Sequence, residues 1–373
     1  MQKNILIIIN SFGIGGTISS LYTLLSKIDP QKVHVDIFPR INSGTPAKNI
    51  PNCTILSENL WLSHTIYHKS SIVRKLNFIL LVFRKLFEKI GIDLYQIYNK
   101  IGGKQIHTEK YDAIIGYDES LPKFISTIPA RKHIIWIHCD YRRFANGKDE
   151  SCYYDKIDVV VCVSEFAKSV FTEYYPKYKN KTIAIHNIIN IEDLKQKASL
   201  PINDIRFTTN CFNIISCGRF DPVKQFHIIP FIADKVRKKT HKLFHWYIIG
   251  GGNNEVEKQI LQEIMKYDVS EYVILLGIKT NPFNFMKKSN LYVCTSLSES
   301  YPMVVNEAKA LGIPVLCNTF PSAAESVENG VDGYICDIEL MPQIITSMID
   351  TTMKINHQNS ENEKILNQFY KLF

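Results

Sequence analysis

The stretch LYVCTSLSESYPMVVNEAKALG, residues 291–312, decides the fold class. Its beginning, LYVCTS, is a short continuous apolar run that is typical of a buried strand. Pro302 stands where the first turn of a helix would begin, and the pattern that follows ends at Gly312, a residue type that often closes helices. The stretch therefore predicts a strand, a loop and a short helix, which is the repeating unit of an α/β protein.

The same alternation of apolar runs and helical stretches continues along both halves of the chain. Continuous apolar strands separated by helices predict parallel sheets that helices cover on both faces. The predicted strands are NILIIIN, HVDIF, DAIIG, HIIWIH, VVVCVS and TIAIH in the first half, and NIISCG, HWYIIG, YVILLG, LYVCTS, PVLCN and YIC in the second. Because 373 residues exceed the usual size of a single hydrophobic core, we predict two doubly wound domains.

Composition favours a reduced, cytoplasmic enzyme. The nine cysteines include no C-x-x-C pair, and five of them fall in or beside predicted strands. We interpret these five as small core residues rather than as disulfides or zinc ligands. The N-terminus runs directly into a strand without the pattern of a secretion signal. A net charge of +8 favours anionic partners, but no nucleic-acid-binding motif accompanies it.

Four charged residues of the second half point to a site for a sugar nucleotide. Glu299 lies in the predicted loop after LYVCTS, and Glu307 lies about one and a half turns into the following helix. Arg219 and Lys224 follow the strand NIISCG, so they are expected at the same edge of a parallel sheet. Two cations and a helix N-terminus suit a diphosphate, and carboxylates suit the hydroxyl pair of a sugar. No D-x-D motif is present, so we expect a metal-independent site.

The loop SFGIGGTISSL, residues 11–21, joins the first strand to a helix. Its glycines allow backbone amides to approach phosphate closely, and we expect the amides of Gly15 and Gly16 to assist in binding the donor. The loop lacks the third glycine of the G-x-G-x-x-G fingerprint, which disfavours a dinucleotide-dependent oxidoreductase.

Taken together, these residues resemble the retaining GT-B glycosyltransferases of family 4, also called glycosyl transferases group 1, of the bacterial surface-polysaccharide type. The chain has the G-R-x(4)-K segment, ending at Lys224, and the E-x(7)-E motif from Glu299 to Glu307. The resemblance implies two Rossmann-like domains that face each other across a cleft. We expect an acceptor-side domain at 1–195, a nucleotide-sugar-binding domain at 196–355, and a helix at 356–373 that crosses back to the first domain.

The resemblance also implies roles for individual residues. The expected catalytic residues are His138, Arg219, Lys224 and Glu299, and the expected donor-binding residues are Gly15, Gly16, Ser300, Tyr301, Pro302 and Glu307. Glu307 would bind the ribose, Glu299 the donor sugar, and the leaving phosphate would take the acceptor proton. Gln225, Ser300 and the pair Ala323–Ala324 depart from the family pattern, in which glycine is common there. Asp118 and Glu119 follow a predicted strand but stay outside the predicted site.

The implied function is transfer of a hexose or N-acetylhexosamine from a nucleoside-diphosphate sugar, with a UDP-sugar favoured, to a growing capsule, O-antigen or exopolysaccharide. No cofactor or metal is expected, and the acceptor would be lipid-linked or a polysaccharide. Two alternatives stay open. One is a GT-B sugar-nucleotide epimerase or hydrolase, and the other is a catalytically silent GT-B partner subunit.

The region 64–110 is rich in lysine and arginine, with Glu88 and Asp93 as almost its only acids. On a helical wheel many large apolar residues fall on one half, and the other half holds Arg74, Lys75, Arg84, Lys85, Glu88 and Lys89. Such a helix either contacts an anionic membrane or packs on the first domain with a solvated basic face. The first interpretation predicts a peripheral protein at the inner face of the plasma membrane.

Overall fold

A computed structural model describes residues 2–13, 15–40, 52–57, 59, 61–62, 71–351 and 361–373, with the backbone alone for 71–77. The chain divides into two compact units, one formed by Met1–Ile188 with Asn362–Phe373 and the other by Ile189–Glu361. The boundary expected at residue 195 falls inside the helix Ile191–Ala198, which belongs to the second unit. The C-terminal segment of the chain belongs to the first unit.

Within the described residues, the first unit is built on a seven-stranded parallel sheet of order β3-β2-β1-β4-β5-β6-β7. The strands are β1 (Lys3–Ile9), β2 (Val33–Pro39), β3 (Cys53–Ile55), β4 (Ala113–Gly116), β5 (His133–Ile137), β6 (Val159–Cys162) and β7 (Thr182–Ala184). The helices are α1 (Gly16–Lys27), α2 (Ser71–Glu88), α3 (Leu94–Gln105), α4 (Pro122–Ile125), α5 (Tyr141–Ala145), α6 (Ser151–Tyr154), α7 (Glu165–Tyr174) and α15 (Asn362–Tyr370).

The second unit, in its described part, has a six-stranded parallel sheet of order β10-β9-β8-β11-β12-β13. The strands are β8 (Phe212–Arg219), β9 (Phe244–Gly251), β10 (Val273–Gly277), β11 (Leu291–Cys294), β12 (Val315–Asn318) and β13 (Gly333–Cys336). The helices are α8 (Ile191–Ala198), α9 (Ile229–Arg237), α10 (Asn254–Tyr267), α11 (Phe283–Lys287), α12 (Met303–Ala310), α13 (Ala323–Ser326) and α14 (Met341–Asp350).

Both units have the doubly wound α/β architecture predicted from the apolar runs. Residues 5–9 of β1 are buried almost completely, as are the central residues of β8, because helices cover both faces of each sheet. All nine cysteines are free, and Cys162, Cys217, Cys294, Cys317 and Cys336 are buried in the cores as predicted. The strand order reverses between β1 and β4 and between β8 and β11, and such switch points are where open α/β sheets bind ligands.

The region 64–110 differs from the single basic helix that its pattern suggested. Residues 64–70 lie outside the described residues, and most of the remainder forms two helices, α2 and α3. Gly91 separates them with a φ of +80°, a left-handed conformation that glycine adopts without strain. Among the described residues, no helix has the length and apolar content needed to cross a bilayer.

Candidate active site

The carboxyl ends of β8 and β11 form the switch point of the second unit. β8 ends at Arg219, and the neighbouring strand β11 leads into the loop that carries Glu299. Lys224 ends a short 3-10 turn after β8, which Asp221 caps by accepting a hydrogen bond from the Val223 amide. The fold therefore brings these sequence-predicted residues to one edge of the sheet.

Lys224 and Glu299 form an ion pair at this edge. The Lys224 ammonium donates to Oε1 of Glu299, and the Ser296 hydroxyl donates to the same oxygen at 2.7 Å. The side chains are only 26% and 15% exposed, so water screens the pair weakly. No described residue donates a hydrogen bond to Oε2 of Glu299, which leaves this oxygen available for a hydroxyl of a ligand.

The loop that carries Glu299 is tied to its neighbours by four further hydrogen bonds. Thr295 Oγ1 donates to the Lys224 carbonyl (2.7 Å), the Leu297 amide to the Val223 carbonyl (2.8 Å), Asn318 Nδ2 to the Ser296 carbonyl (3.0 Å), and Ser322 Oγ to the Glu299 carbonyl (2.6 Å). These bonds fix the loop before any ligand binds, which is the preorganisation that electrostatic catalysis requires.

Two departures from the family pattern have different consequences here. Gln225 has a φ of +50°, the left-handed region in which glycine is favoured, so its backbone is strained. Ser300 lies outside that region, so a side chain at this position costs nothing in backbone energy.

Arg219 is positioned to meet an anion. Its side chain is 74% exposed, and its guanidinium lies 4.0 Å from the carboxylate of Asp221. The glycine run at the end of β9 lies beside it: a Cβ atom on Gly252 would stand 3.6 Å from the Arg219 side chain. Gly250 is required by packing, because a Cβ atom there would lie 2.0 Å from the Gly218 carbonyl.

Glu307 lies on α12, whose N-cap is Pro302 and which is followed by Gly312 at a φ of +81°. Burial raises the pKa of the Glu307 carboxyl to about 7, although the charge of Lys197 opposes this rise. The carboxylate also lies near enough to Cys217, at the end of β8, to contribute to the raised pKa of that thiol, after burial. Helix α12 is held by an ion pair of 2.6 Å between Lys309 and the buried Asp332.

Ser300, Tyr301 and Pro302 lead from Glu299 into α12. Burial, with a smaller contribution from Glu361, raises the pKa of Tyr301, so its hydroxyl stays protonated and can donate a hydrogen bond. The main-chain amides at the start of α12 are near these residues and have no side-chain cap.

The remaining predicted site residues belong to the first unit. His138 follows β5, and its ring packs on Tyr117 with the ring centroids 4.8 Å apart. Burial lowers the pKa of His138 to about 3, so the imidazole is neutral at physiological pH. Its Nε2 atom is buried without a hydrogen-bond partner among the described residues.

Gly15 and Gly16 form the N-terminal end of α1, next to the carboxyl end of β1. Apart from its chain neighbours and its own helix, a Cβ atom at either position would meet no atom of the described residues within 4 Å. Packing therefore does not require glycine here, and the open space leaves the backbone accessible. In the described parts of the chain, no group of three or more His, Cys, Asp or Glu side chains is arranged to hold a metal ion.

Comparison with known proteins identifies the class of this site. Residues 203–365 match the family model of glycosyl transferases group 1. The chain carries a glycosyl transferases group 1 domain. The matched region contains all six strands of the second sheet, together with Arg219, Lys224, Glu299 and Glu307.

Two curated relatives and one solved structure illustrate the similarity. An uncharacterized glycosyltransferase of Methanocaldococcus jannaschii is 29% identical over 174 residues, which span 45% of this chain and 42% of that relative. The N-acetylgalactosamine-N,N'-diacetylbacillosaminyl-diphospho-undecaprenol 4-alpha-N-acetylgalactosaminyltransferase of Campylobacter jejuni is 25% identical over 335 residues, spanning 88% of this chain and 83% of that one. The Anabaena protein HepE, solved with UDP and glucose, has the same GT-B fold, with a TM-score of 0.69 at 15% identity over 100% of this chain and 99% of that chain.

Several residues that shape the site of this glycosyltransferase were not predicted from its sequence. Gly250, Gly251 and Gly252 stand out as a run of three after an apolar strand, and this signal could have placed them at the sheet edge. Ser296, Asn318 and Ser322 carry no such signal. Their role depends on contacts between the ends of β11 and β12, which only the fold brings together.

Proposed function

We propose that this glycosyltransferase moves a hexose or N-acetylhexosamine from a nucleoside-diphosphate sugar to a growing cell-surface glycan. The observation that carries the proposal is the preformed Lys224–Glu299 pair beside the exposed Arg219, at the switch point of a group 1 domain. A UDP-sugar is the favoured donor, in keeping with the UDP bound in the HepE structure. A lipid-linked acceptor is favoured by the name of the Campylobacter relative, which specifies a diphospho-undecaprenol acceptor.

The charges of the site suit a transfer with retention of configuration. The bond from the anomeric carbon to the β-phosphate oxygen breaks while the acceptor oxygen bonds to the same face of that carbon. The acceptor proton passes to the leaving phosphate oxygen, so UDP and the glycoside are the products. Negative charge develops on the diphosphate, and Arg219 and Lys224 stabilise it where it forms. This proposal requires neither a protein nucleophile nor a bound metal.

The two carboxylates of the site, Glu307 and Glu299, bind different parts of the donor. Glu307 accepts hydrogen bonds from the two ribose hydroxyls, which requires its ionised form. Glu299 presents Oε2 to a hydroxyl of the donor sugar while Lys224 and Ser296 hold Oε1. His138, being neutral, acts near the sugar as a hydrogen-bonding group and not as a cation.

Thermal shift with UDP-, GDP- and ADP-sugars, each with and without EDTA, tests the donor site. A ligand that binds only the folded state raises its stability by mass action. We expect one nucleotide to shift the wild-type transition with and without EDTA, and the shift to be lost in Arg219→Met. Lys258→Met, which removes an exposed cation from α10, serves as the control and keeps the shift. A shift that disappears with EDTA would refute metal independence, and no shift with any donor would refute the donor site.

We further propose that α2 binds an anionic membrane. Phe78, Ile79, Val82, Phe83 and Leu86 fall on one face of the helix and are 40–60% exposed. Arg84 projects from the opposite face, where its Nε atom lies 3.5 Å from the Glu88 carboxylate and its guanidinium lies near the Tyr95 ring. The exposed Lys85 borders this apolar face, and the exposed Lys89 directly follows the end of the helix. An apolar stripe with cations beside it is the arrangement of an interfacial helix.

Vesicle co-sedimentation tests this surface. Vesicles with anionic lipid should bind the wild-type protein, and neutral vesicles should bind it less. Replacing Phe83 and Leu86 together by serine should weaken vesicle binding at least about tenfold, because two apolar side chains are then no longer buried in the lipid. Leu261→Ser, an equally exposed position on α10, is the control. Equal binding of all three proteins would refute the assignment.

A further inference from the structure

Glu119 is a partly buried carboxylate in the loop after β4, and it forms hydrogen bonds with residues of the loop after β5. Oε2 of Glu119 accepts a hydrogen bond from the His138 amide at 3.1 Å. The Cys139 thiol also hydrogen-bonds to this carboxylate. Glu119 thus holds the first two residues that follow β5, including the histidine of the proposed site.

The neighbouring acid shows that this arrangement is not a general property of the loop. Asp118 accepts hydrogen bonds from the amide and the hydroxyl of Ser120, so it serves the turn in which it lies. Burial and then the charge of Asp118 raise the pKa of Glu119, so both disfavour an ionised carboxylate at this position. The hydrogen bonds that Glu119 accepts from the loop after β5 stabilise its ionised form and offset part of this effect.

The ring of His138 is held from another direction by packed aromatic side chains. It lies on Tyr117, Tyr117 lies 5.2 Å from Trp136, and Trp136 lies 6.2 Å from Phe369 of α15, measured between ring centroids. These rings restrict the imidazole, and the end of β5 just before it is held because the Ile137 carbonyl accepts a hydrogen bond from the Val163 amide at 3.1 Å. The bond from Glu119 adds a contact to the His138 amide itself.

We infer that Glu119 is a positioning residue that sets the place of His138 in the transfer reaction. This inference rests on the proposed function, because it assumes that His138 acts near the donor sugar. The reach of the Glu119 side chain is essential and its charge is not, since a neutral amide oxygen also accepts the His138 N–H. A misplacement of about 1 Å at a reacting group can cost about 100-fold in rate.

Two substitutions separate the effect of the length of the Glu119 side chain from the effect of its charge. Glu119→Asp keeps the charge but withdraws the carboxylate from the His138 amide, and Glu119→Gln keeps the reach without the charge. We expect Glu119→Asp to lower kcat about 10- to 100-fold, with the donor KM within about twofold of the wild type. Glu119→Gln should stay within about threefold of the wild-type kcat, because the hydrogen bond persists.

A matched control exists at the other end of the same strand. Asp158 Oδ2 accepts a hydrogen bond from the His133 amide at 2.7 Å, which is the same kind of bond at the start of β5. Asp158→Ala removes this bond far along the strand from His138, so it should leave kcat unchanged. An equal loss of kcat in Asp158→Ala would show that the Glu119 effect is a general loss of strand order, and would overturn the inference.

A double-mutant cycle with His138→Ala shows whether Glu119 acts through the histidine. If it does, Glu119→Asp causes no further loss of kcat in the His138→Ala background. Losses that multiply would overturn the inference. The ring signals of His138 in proton–carbon NMR spectra, assigned from His138→Ala, give a readout that needs no activity. They should move in Glu119→Asp and stay in place in Asp158→Ala.

The two readouts separate failure of the inference from failure of the proposed function. If the wild-type protein transfers no sugar while the His138 signals move as expected, the proposed function fails and the positioning of His138 stands. If the protein transfers sugar and the His138 signals are the same in the wild type and Glu119→Asp, the inference is overturned.

Discussion

Replacing Glu307 by glutamine is expected to stabilise the fold above pH 7 and to weaken donor binding. Burial raises the pKa of Glu307 from 4.5 to about 7, so the folded protein retains a proton that the unfolded chain releases. The resulting cost to stability is absent below pH 4.5, grows as the pH rises to about 7, and is complete above it. It amounts to about 3 kcal/mol at pH 8, since each unit of pKa corresponds to about 1.4 kcal/mol.

Urea unfolding at pH 5 and pH 8 measures this cost. The free energy of unfolding of Glu307→Gln, relative to the wild type, should be higher at pH 8 than at pH 5 by about 2.5 kcal/mol, because part of the cost is already present at pH 5. Comparing the two pH values removes any constant effect of packing. Glu271→Gln, at an exposed turn of the same unit, is the control and should show no such difference.

The same substitution removes a charged acceptor from the proposed ribose site. The affinity for UDP at pH 8 should fall about 10- to 100-fold, the typical worth of a hydrogen bond to a charged group. The wild-type affinity should itself decline as the pH falls below about 7. A variant that gains no stability at pH 8 would refute the burial argument, and unchanged UDP affinity would refute the ribose assignment.

Three further predictions concern the supports of the site. Lys224→Met should destabilise the fold by about 1–3 kcal/mol, because the largely buried Glu299 then has no cation beside it. Adding Glu299→Gln should restore stability but not sugar transfer, and a double-mutant cycle in urea measures the coupling between the two residues. Asp332→Asn should cost about 3 kcal/mol by breaking the buried pair with Lys309, and an unchanged urea midpoint would contradict it. Gln225→Gly should be at least as stable as the wild type, whereas Gln225→Ile should lower stability by about 1–2 kcal/mol in the same assay, because Gln225 has a φ of +50°.

Most of the fold could be predicted because its strands are continuous apolar runs. All twelve predicted strands are present, and among the strands of the described residues only β3 was missed. β3 has three residues at the edge of its sheet, and its sequence CTI is too short and too polar for a strand signal. The separation of α2 from α3 was also missed, because an isolated glycine such as Gly91 is a weak signal for the end of a helix, and α3 itself contains Gly102 and Gly103.

The candidate site could be predicted only where its residues follow strand ends. Arg219, Lys224 and Glu299 meet because their strands are neighbours at the switch point, and the E-x(7)-E spacing located Glu307 on the following helix. The ion pair between Lys224 and Glu299 joins residues 75 positions apart, so no local pattern indicates it. The bond from Glu119 to the His138 amide is missed for the same reason, since it depends on β4 and β5 being neighbours.

The most direct test of the proposed transfer is proton NMR of the reaction products. Wild-type protein and Glu299→Gln are each incubated with α-linked UDP-hexoses and UDP-N-acetylhexosamines and with a polyprenyl-diphosphate-linked sugar. We predict that the wild type releases UDP and forms an equal amount of an α-linked glycoside, and that Glu299→Gln forms far less. A β-linked product would contradict retention, and a free or epimerised sugar without a new glycosidic bond would contradict transfer.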